Sequence, residues 1–334
     1  MAGKNRVIVI GLGPIGQSVL ALVADRPGLV LTGAVDIDPE KVGKDAGIVC
    51  GLQQPLGVTV SASLPDALAA GTADVALLCT GSYLEQVALQ VEAIIDAGLD
   101  IVTTCEELAY APVHNPDLAE RLDRLARERG VRVLGTGVNP GFAFDTLVMT
   151  LSATCRRVTA VRATRVLDAG TRRLPLQQKV GAGLTKQEFD ALVTAGTVRH
   201  VGLLESLNLV ADAFGWTLDR TEELTDGVIA QRDVTTRYLS VKAGQVAGVK
   251  QIGRGYRNGE AVIELELQMY VGAPESFDAI TIEGDPGIDM IIRGGIAGDP
   301  ATTALTVNLI GSLEHAPPGL VTMKDLAIHY GVGT

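Results

Sequence analysis

The sequence predicts an α/β chain: an N-terminal Rossmann doubly wound parallel sheet followed by a C-terminal α+β domain with an open, largely antiparallel sheet. Three observations carry this expectation. Strand and helix patterns alternate through about the first 135 residues, the order that packs helices on both faces of a parallel sheet. Gly11-Leu12-Gly13-Pro14-Ile15-Gly16 stands between the first strand and the first helix, where a dinucleotide fold turns beneath a pyrophosphate. Beyond Asn139-Pro140-Gly141 the texture changes to period-two alternation, clearest over 261–272; a strand with one wetted face reads this way.

The apolar run Val7-Ile8-Val9-Ile10 makes 6–10 a buried strand, and a helix runs from Pro14 to about Ala24, since proline suits a first helical turn. Leu29 to Val35 is the second strand and ends in Asp36. Short apolar runs at 58–60 and 75–78 are the next strands. Leu84, Val87, Val91, Ile94 and Ile95 share one helix face, with Ala97-Gly98 as its C-cap. Ile101-Val102 is a strand that ends in Thr103-Thr104-Cys105-Glu106-Glu107. A helix from Asn115-Pro116 to Arg129, stopped by Gly130, leads to a strand over 131–134. In the second domain, 158–168, 238–252 and 278–283 join 261–272 as strands, with helices near 186–195 and 201–214. A helical pattern at 300–313 and the turn Ala316-Pro317-Pro318-Gly319-Leu320 follow. The expected division is 1–138 for dinucleotide binding, with 300–334 returning to it, and 139–299 for substrate binding and dimerisation.

Composition narrows the function. A length of 334 residues suits two domains, and a hydrophobic fraction of 47% fills two cores. A net charge of −11 disfavours nucleic acid and anionic membranes, which need clustered Lys and Arg. No apolar run approaches the roughly 20 residues of a membrane span, and Met1 to Arg6 lead straight into a strand without a signal-peptide core. A cytoplasmic protein with a small-molecule partner is expected. Cys50, Cys79, Cys105 and Cys155 form no C-x-x-C pair, and His114, His315 and His329 lack companions at ligand spacing; neither a disulfide framework nor a metal site is expected.

The glycine motif gains weight from its context. Gly11 permits the tight turn, Gly13 admits the pyrophosphate, and Gly16 lets the helix that begins at Pro14 and Ile15 pack close. Asp36, 20 residues past Gly16, would accept the ribose hydroxyls and repel a 2′-phosphate, so NAD is favoured; Lys41 and Lys44 keep NADP admissible, or form a solvated face. Thr80, Gly81 and Ser82 follow the fourth strand, beneath the expected nicotinamide ribose, where Ser82 also reads as a helix N-cap. Thr104 and Cys105 complete the expected cofactor lining.

Glu106 and Glu107 are adjacent acids at the C-terminal end of a parallel strand, the edge where such sheets place their chemistry. They read either as a catalytic carboxylate or as acids in a first helical turn. Neighbouring helical residues point about 100° apart, so one of the two faces the substrate, and the reading leans to Glu107. His200, at the start of a helix, is either a neutral imidazole offered to substrate or a surface cap. Arg165, Asp168, Arg172, Arg173, Gln177 and Lys179 read as a solvated sheet edge, with a site lining as the second reading.

Taken together, these residues resemble the native amine dehydrogenases and 2,4-diaminopentanoate dehydrogenase, within the dihydrodipicolinate reductase-like group. The resemblance spans nearly the whole chain: Val35-Asp36-Ile37-Asp38-Pro39, Thr104-Cys105-Glu106-Glu107-Leu108, Gly137-Val138-Asn139-Pro140-Gly141-Phe142, Gln178-Lys179-Val180-Gly181 and Pro317-Pro318-Gly319-Leu320. It implies a glutamate of the 105–107 loop that binds the substrate amine, a cofactor-lining loop at Asn139 and Pro140, and a homodimer formed through the second domain. Asn139, Phe142, His200 and Arg165 are the candidate substrate contacts, of which the resemblance itself carries only the Asn139 loop. The activity it implies is NAD(P)-dependent deamination of a small primary amine and, in reverse, reductive amination of a ketone or aldehyde with ammonia.

The chemistry agrees with the residues. An amine yields hydride only as the neutral base but arrives mostly as ammonium, so a carboxylate beside it must bind the cation and take its proton. Negative charge there also favours an iminium-like transition state. Homoserine dehydrogenases carry a lysine where Glu107 stands, and dihydrodipicolinate reductases a paired-histidine motif absent from this sequence. A semialdehyde dehydrogenase needs an activated cysteine, and acids beside Cys105 would make it less reactive. The competing readings are a diamino-acid dehydrogenase that requires a substrate carboxylate, and a dinucleotide-binding sensor without turnover.

Overall fold

The structure, a computed structural model, describes residues 5–327 and 331; His329 lies outside the described residues. The chain separates into two compact units. One runs to Phe142 and resumes at Ala297, and the other is Ala143–Ile296. The Asn139-Pro140-Gly141-Phe142 loop therefore packs with the first unit.

The first unit opens with β1 (Asn5–Ile10), α1 (Pro14–Asp25), β2 (Leu29–Val35), α2 (Ala46–Val49), β3 (Val60–Ser61), α3 (Leu64–Ala70) and β4 (Val75–Leu78). It continues with α4 (Leu84–Asp96), β5 (Asp100–Thr103), a 3-10 helix at Glu106–Val113, α5 (Pro116–Arg129) and β6 (Arg132–Gly135). The second unit contributes α6 (Thr146–Ser152), β7 (Arg157–Asp168), α7 (Leu174–Lys179), α8 (Lys186–Thr194), α9 (Leu203–Ala213), β8 (Arg220–Ile229), β9 (Val234–Thr235), β10 (Ser240–Val241), β11 (Val246–Arg257), β12 (Glu260–Tyr270), β13 (Phe277–Asp285) and β14 (Ile288–Arg293). The chain then re-enters the first unit with α10 (Gly298–Asn308), α11 (Ile310–Leu313) and β15 (Gly319–Val321).

Seven parallel strands in the order β15-β6-β5-β4-β1-β2-β3 form the first sheet. The strand order reverses between β1 and β4, and such a switch point opens a crevice at the strands' carboxyl ends. Val7, Ile8, Val9, Ala76, Leu77, Leu78, Ile101 and Val102 are fully or almost fully buried, as helices on both faces of a parallel sheet require. Val87, Val91, Ile94 and Ile95 of α4 pack into this core.

The second unit is built on a six-stranded mixed sheet, β14-β13-β7-β12-β11-β8, antiparallel except for the β7–β12 pair. Ile263, Leu265 and Leu267 of β12 are buried against Leu203, Leu207 and Val210 of α9, and the intervening Glu264, Glu266 and Gln268 are half-buried. The alternation in the sequence thus gives the covered face.

Several expectations are corrected in detail. The run at 238–252 is not one strand: Gly244, at a left-handed φ of 87°, breaks it into β10 and β11, and β11 continues to Arg257. The helix placed at 201–214 starts at Leu203, after Gly202 at φ 111°, so His200 lies in the preceding loop. The pattern at 300–313 divides at Leu309 into α10 and α11.

Arg165 is not part of a solvated sheet edge. Its side chain is 1% exposed, Nη1 lies 2.6 and 2.7 Å from the two carboxylate oxygens of Asp278, and Nη2 donates to the Ile296 carbonyl. Asp278 Oδ2 also accepts the Ile296 N–H at 2.7 Å. The pair thereby grips both backbone polar groups of the last residue of the second unit. Removal of one member of a buried ion pair strands the other charge. Asp278→Ala should therefore lower stability by about 3–5 kcal/mol, read as a fall in the urea midpoint, whereas Asp289→Ala on the exposed side of the same sheet should change it little.

Candidate active site

The loop from β1 to α1 follows from its glycines. Gly11 sits at φ 87°, and a Cβ there would lie 2.7 Å from Thr80 Cγ2 and 2.9 Å from the Cys79 carbonyl oxygen. A Cβ on Gly16 would fall 1.8 Å from the Gly11 carbonyl oxygen, so the first turn of α1 rests directly on the loop. Gly13 caps α1 without a side-chain hydrogen bond and has open space on its Cβ side. The free amides of a helix N-terminus next to open space suit an anion such as a pyrophosphate.

A cavity of about 580 Å³ opens at this loop, lined among others by Gly11, Gly13, Asp36, Ile37, Thr80 and Leu89. Asp36 is 9% exposed. Its Oδ2 accepts the Leu12 N–H at 2.7 Å and its Oδ1 the Asp38 N–H at 2.8 Å. Burial pushes the Asp36 carboxyl up, but the amides of Asp38 and Leu12 and the Lys41 ammonium outweigh it and hold the group below the usual carboxylate range. Ile37 and Leu89 flank the cavity at 89% and 78% exposure. Apolar side chains so exposed at a cavity mouth suit the faces of a flat ring. The cavity, the open glycine and the acid together fit a dinucleotide.

Thr80 bonds Gln90 of α4 at 2.5 Å. Ser82 does not cap α4, whose N-cap is Tyr83 without a side-chain bond. The cap comes from elsewhere. Glu107 Oε2 accepts the Leu84 N–H at 2.7 Å, and the Glu107 N–H donates to the Ser82 carbonyl at 3.2 Å. Glu107 is 6% exposed, whereas Glu106 is half-buried. The expectation of acids in a first helical turn is modified: the turn is 3-10, and the helix end that Glu107 serves belongs to α4.

Two further glycines place this carboxylate. A Cβ on Gly135 of β6 would lie 2.2 Å from the Leu108 carbonyl carbon and 2.4 Å from the Ala109 nitrogen, so only glycine lets the 3-10 helix lie flat on β6. Gly141, at φ 121°, would place a Cβ 2.5 Å from the Gly137 nitrogen; it closes the loop that holds Asn139, 8% exposed and in a cis peptide with Pro140, and half-buried Phe142. The Val138 N–H is fixed by Thr302 Oγ1 at 3.1 Å.

Thr104, half-buried, donates its N–H to the Leu78 carbonyl. Cys105 is fully buried, and burial first, with Glu106 and Glu107 adding less, pushes its thiol up to about 12. That is the opposite of an activated nucleophile. In the second unit, the His200 N–H donates to Gln251 Oε1 at 2.8 Å and its carbonyl accepts from Gln251 Nε2 at 3.0 Å; Gln251 is fully buried.

The first unit thus brings together the glycine loop, Asp36, Thr80, Ser82, Thr104, Cys105 and Glu107, while Arg165 and His200 belong to the second. Sequence reasoning missed Ile37, Leu89, Gln90, Gly135 and Thr302. A glycine inside a strand signals close backbone approach, and Leu89 is an apolar residue on the polar face of α4; both signals were present.

Residues 142–333 match the 2,4-diaminopentanoate dehydrogenase C-terminal domain, and residues 5–104 the N-terminus of dihydrodipicolinate reductase. Over 97% of its length the chain is 33% identical to 2,4-diaminopentanoate dehydrogenase of Acetoanaerobium sticklandii, covering 94% of that protein. The chain belongs to the 2,4-diaminopentanoate dehydrogenase family. An amine dehydrogenase of Streptomyces virginiae is 24% identical across 98% of this chain and 97% of its own. The solved amine dehydrogenase of Mycobacterium smegmatis superposes with a TM-score of 0.84 at 27% identity, over 98% of this chain and 97% of that one. Family membership accords with a nicotinamide dinucleotide as cofactor. No helix of the described residues is long and apolar enough to cross a membrane.

Gly135→Ala should lift the 3-10 helix and with it Glu107, leaving the glycine loop untouched. Turnover is expected to fall about 10²-fold, the scale of a small misplacement, while NADH binding measured by fluorescence stays near the wild-type value.

Proposed function

We propose that this chain is an NAD(P)-dependent dehydrogenase of primary amines, which oxidises the carbon bearing the amine and, in reverse, aminates a ketone or aldehyde with ammonia. The observation that carries the reading is Glu107: a buried carboxylate at the carboxyl end of the sheet, one oxygen anchored by the Leu84 N–H, in a family whose named members act on amines. Asp36 and the N-terminus of α1 would hold the ribose and the pyrophosphate. When bound, the nicotinamide accepts the hydride.

Glu107 binds the substrate ammonium, takes one proton and passes it to solvent, so the neutral amine stands beside a carboxylate again. Departure of the hydride leaves an iminium cation, which the carboxylate favours by its charge. Water then adds to the iminium carbon and its two protons pass to nitrogen as ammonium leaves, so the two steps give carbonyl, ammonium, NADH and the one proton released at the start. Oε2 keeps its bond to Leu84 while Oε1 meets the substrate, so the acid is positioned before the amine arrives. Glu106, half-buried beside it, adds charge.

Asp36 favours NAD over NADP in this reading. A diamino acid is the second substrate reading, supported by the match of the C-terminal domain and by the name of the relative at 33% identity. A substrate carboxylate needs a cation such as Arg165, Arg172 or Lys179; Arg165 is engaged with Asp278, which leaves Arg172 and Lys179 as the candidates for that role. A cytoplasmic location suits the free thiols Cys50, Cys79, Cys105 and Cys155.

Glu107→Gln should cut kcat by about 10²–10⁴-fold with NADH affinity retained, and Glu106→Gln by much less; equal, small effects of the two would remove the role given to Glu107. NAD reduction with 2,4-diaminopentanoate compared with a simple alkylamine separates the substrates, and turnover of the diamino acid alone would sink the simple-amine reading. A carbonyl panel with ammonia that shows no turnover despite NADH binding would favour a sensor.

We further propose a homodimer formed through the second unit. One face of the six-stranded sheet is covered by α6 and α9. The register places Leu224, Ile252, Glu266, Thr164, Ala279 and Ile291 in one row across the other face, with Leu224 and Ile291 at 46% and 56% exposure. An extended face of apolar residues among paired charges fits a self-complementary two-fold contact. Light scattering should give the mass of two chains, and Ile252→Arg should reduce it to one.

A further inference from the structure

Lys41 does not line the cavity itself but is paired with Asp36, which does. Its ammonium lies 3.1 Å from Asp36 Oδ2 and 3.5 Å from Asp38 Oδ2, with the side chain 23% exposed. Lys44, named with it in the sequence as a source of NADP tolerance, stands apart at 57% exposure, 4.0 Å from Glu40. The structure therefore separates two lysines that the sequence left equivalent.

The acceptor count at Asp36 matters. A carboxylate oxygen has about two acceptor positions. Oδ2 already takes the Leu12 N–H and the Lys41 ammonium, and Oδ1 takes the Asp38 N–H. One position, on Oδ1, is left for a ribose hydroxyl until Lys41 withdraws. Asp36 and Asp38 would also repel a phosphate dianion at the 2′-position, and Lys41 is the cation held between them. An ammonium on a flexible four-carbon stem can leave one oxygen anion for another at little cost in geometry.

We propose that Lys41 is the specificity-determining residue of the adenosine end. Held on Asp36 and Asp38 it screens their charge, and in the presence of a 2′-phosphate its ammonium transfers to that group, so the pocket accepts both NADH and NADPH. Without Lys41, the two carboxylates face the phosphate unscreened, while the 2′-hydroxyl of NADH gains a second acceptor on Asp36. The inference rests on the reading of this cavity as the dinucleotide site.

Fluorescence titration of the full chain with NADH and with NADPH tests it, with thermal unfolding as the check on folding. Lys41→Met should weaken NADPH by roughly tenfold or more, the scale of a lost charge-assisted bond, and leave NADH unchanged or tighter. Lys41→Arg should retain NADPH binding, and Lys44→Met should alter neither. Equal changes for the two nucleotides in Lys41→Met, no change for either, or a wild type that binds NADH and not NADPH would each overturn the role of Lys41. Binding of neither nucleotide by the wild type would instead overturn the dinucleotide reading itself.

Discussion

The contact of Gly16 with the Gly11 carbonyl governs the nucleotide-binding unit. It sets how closely α1 lies on the loop, hence where the helix N-terminus points and how far the cavity opens. Asp36 reinforces the same geometry from the second strand, because its Oδ2 holds the Leu12 N–H. The acid expected to bind a ribose is thus also a structural tie between the β1–α1 loop and the end of β2. Loss of its charge would disturb the loop and the ligand together, which is why affinity alone is a poor measure of what Asp36 does.

The placement of Glu107 follows a second close contact of the same kind. Gly135 lets the 3-10 helix settle on β6, and that height brings Glu107 to the N-terminus of α4. A carboxylate in so buried a position is costly unless its oxygens are satisfied, and the Leu84 N–H, an orphan donor of its own helix, satisfies one of them. The pair solves two problems at once: α4 acquires a cap that Tyr83 and Ser82 do not provide, and Glu107 acquires a fixed orientation.

Much of this was legible in the sequence. The alternating strands and helices, the glycine motif and Asp36 gave the first sheet because each is a local pattern with one physical reading. The runs at 158–168, 261–272 and 278–283 and the latter part of 238–252 gave the four inner strands of the second sheet, but not its edges, since β8 and β14 each owe their pairing to a single neighbour, β11 and β13. Residue type alone makes Ser82 a cap, whereas the actual cap of Leu84 comes from 23 residues downstream, a distance no local rule covers. Arg165 misled for a related reason: in sequence it stands among Asp168, Arg172 and Arg173, and only the fold shows it buried against Asp278, 113 positions away.

Helix α4 links the two ends of the candidate site. Its first amide is bound to Glu107, and a turn later Leu89, Gln90, Ala93 and Ile94 line the nucleotide cavity. Thr80, on the loop that leads into α4, closes the circuit through Gln90. A helix moves as a unit over such a distance, because its backbone bonds are cooperative. Any shift of α4 that accommodates an adenine ring beside Leu89 therefore also moves the donor that holds Glu107. In the function proposed above, α4 would thus couple the nucleotide end of the site to the position of the Glu107 carboxylate.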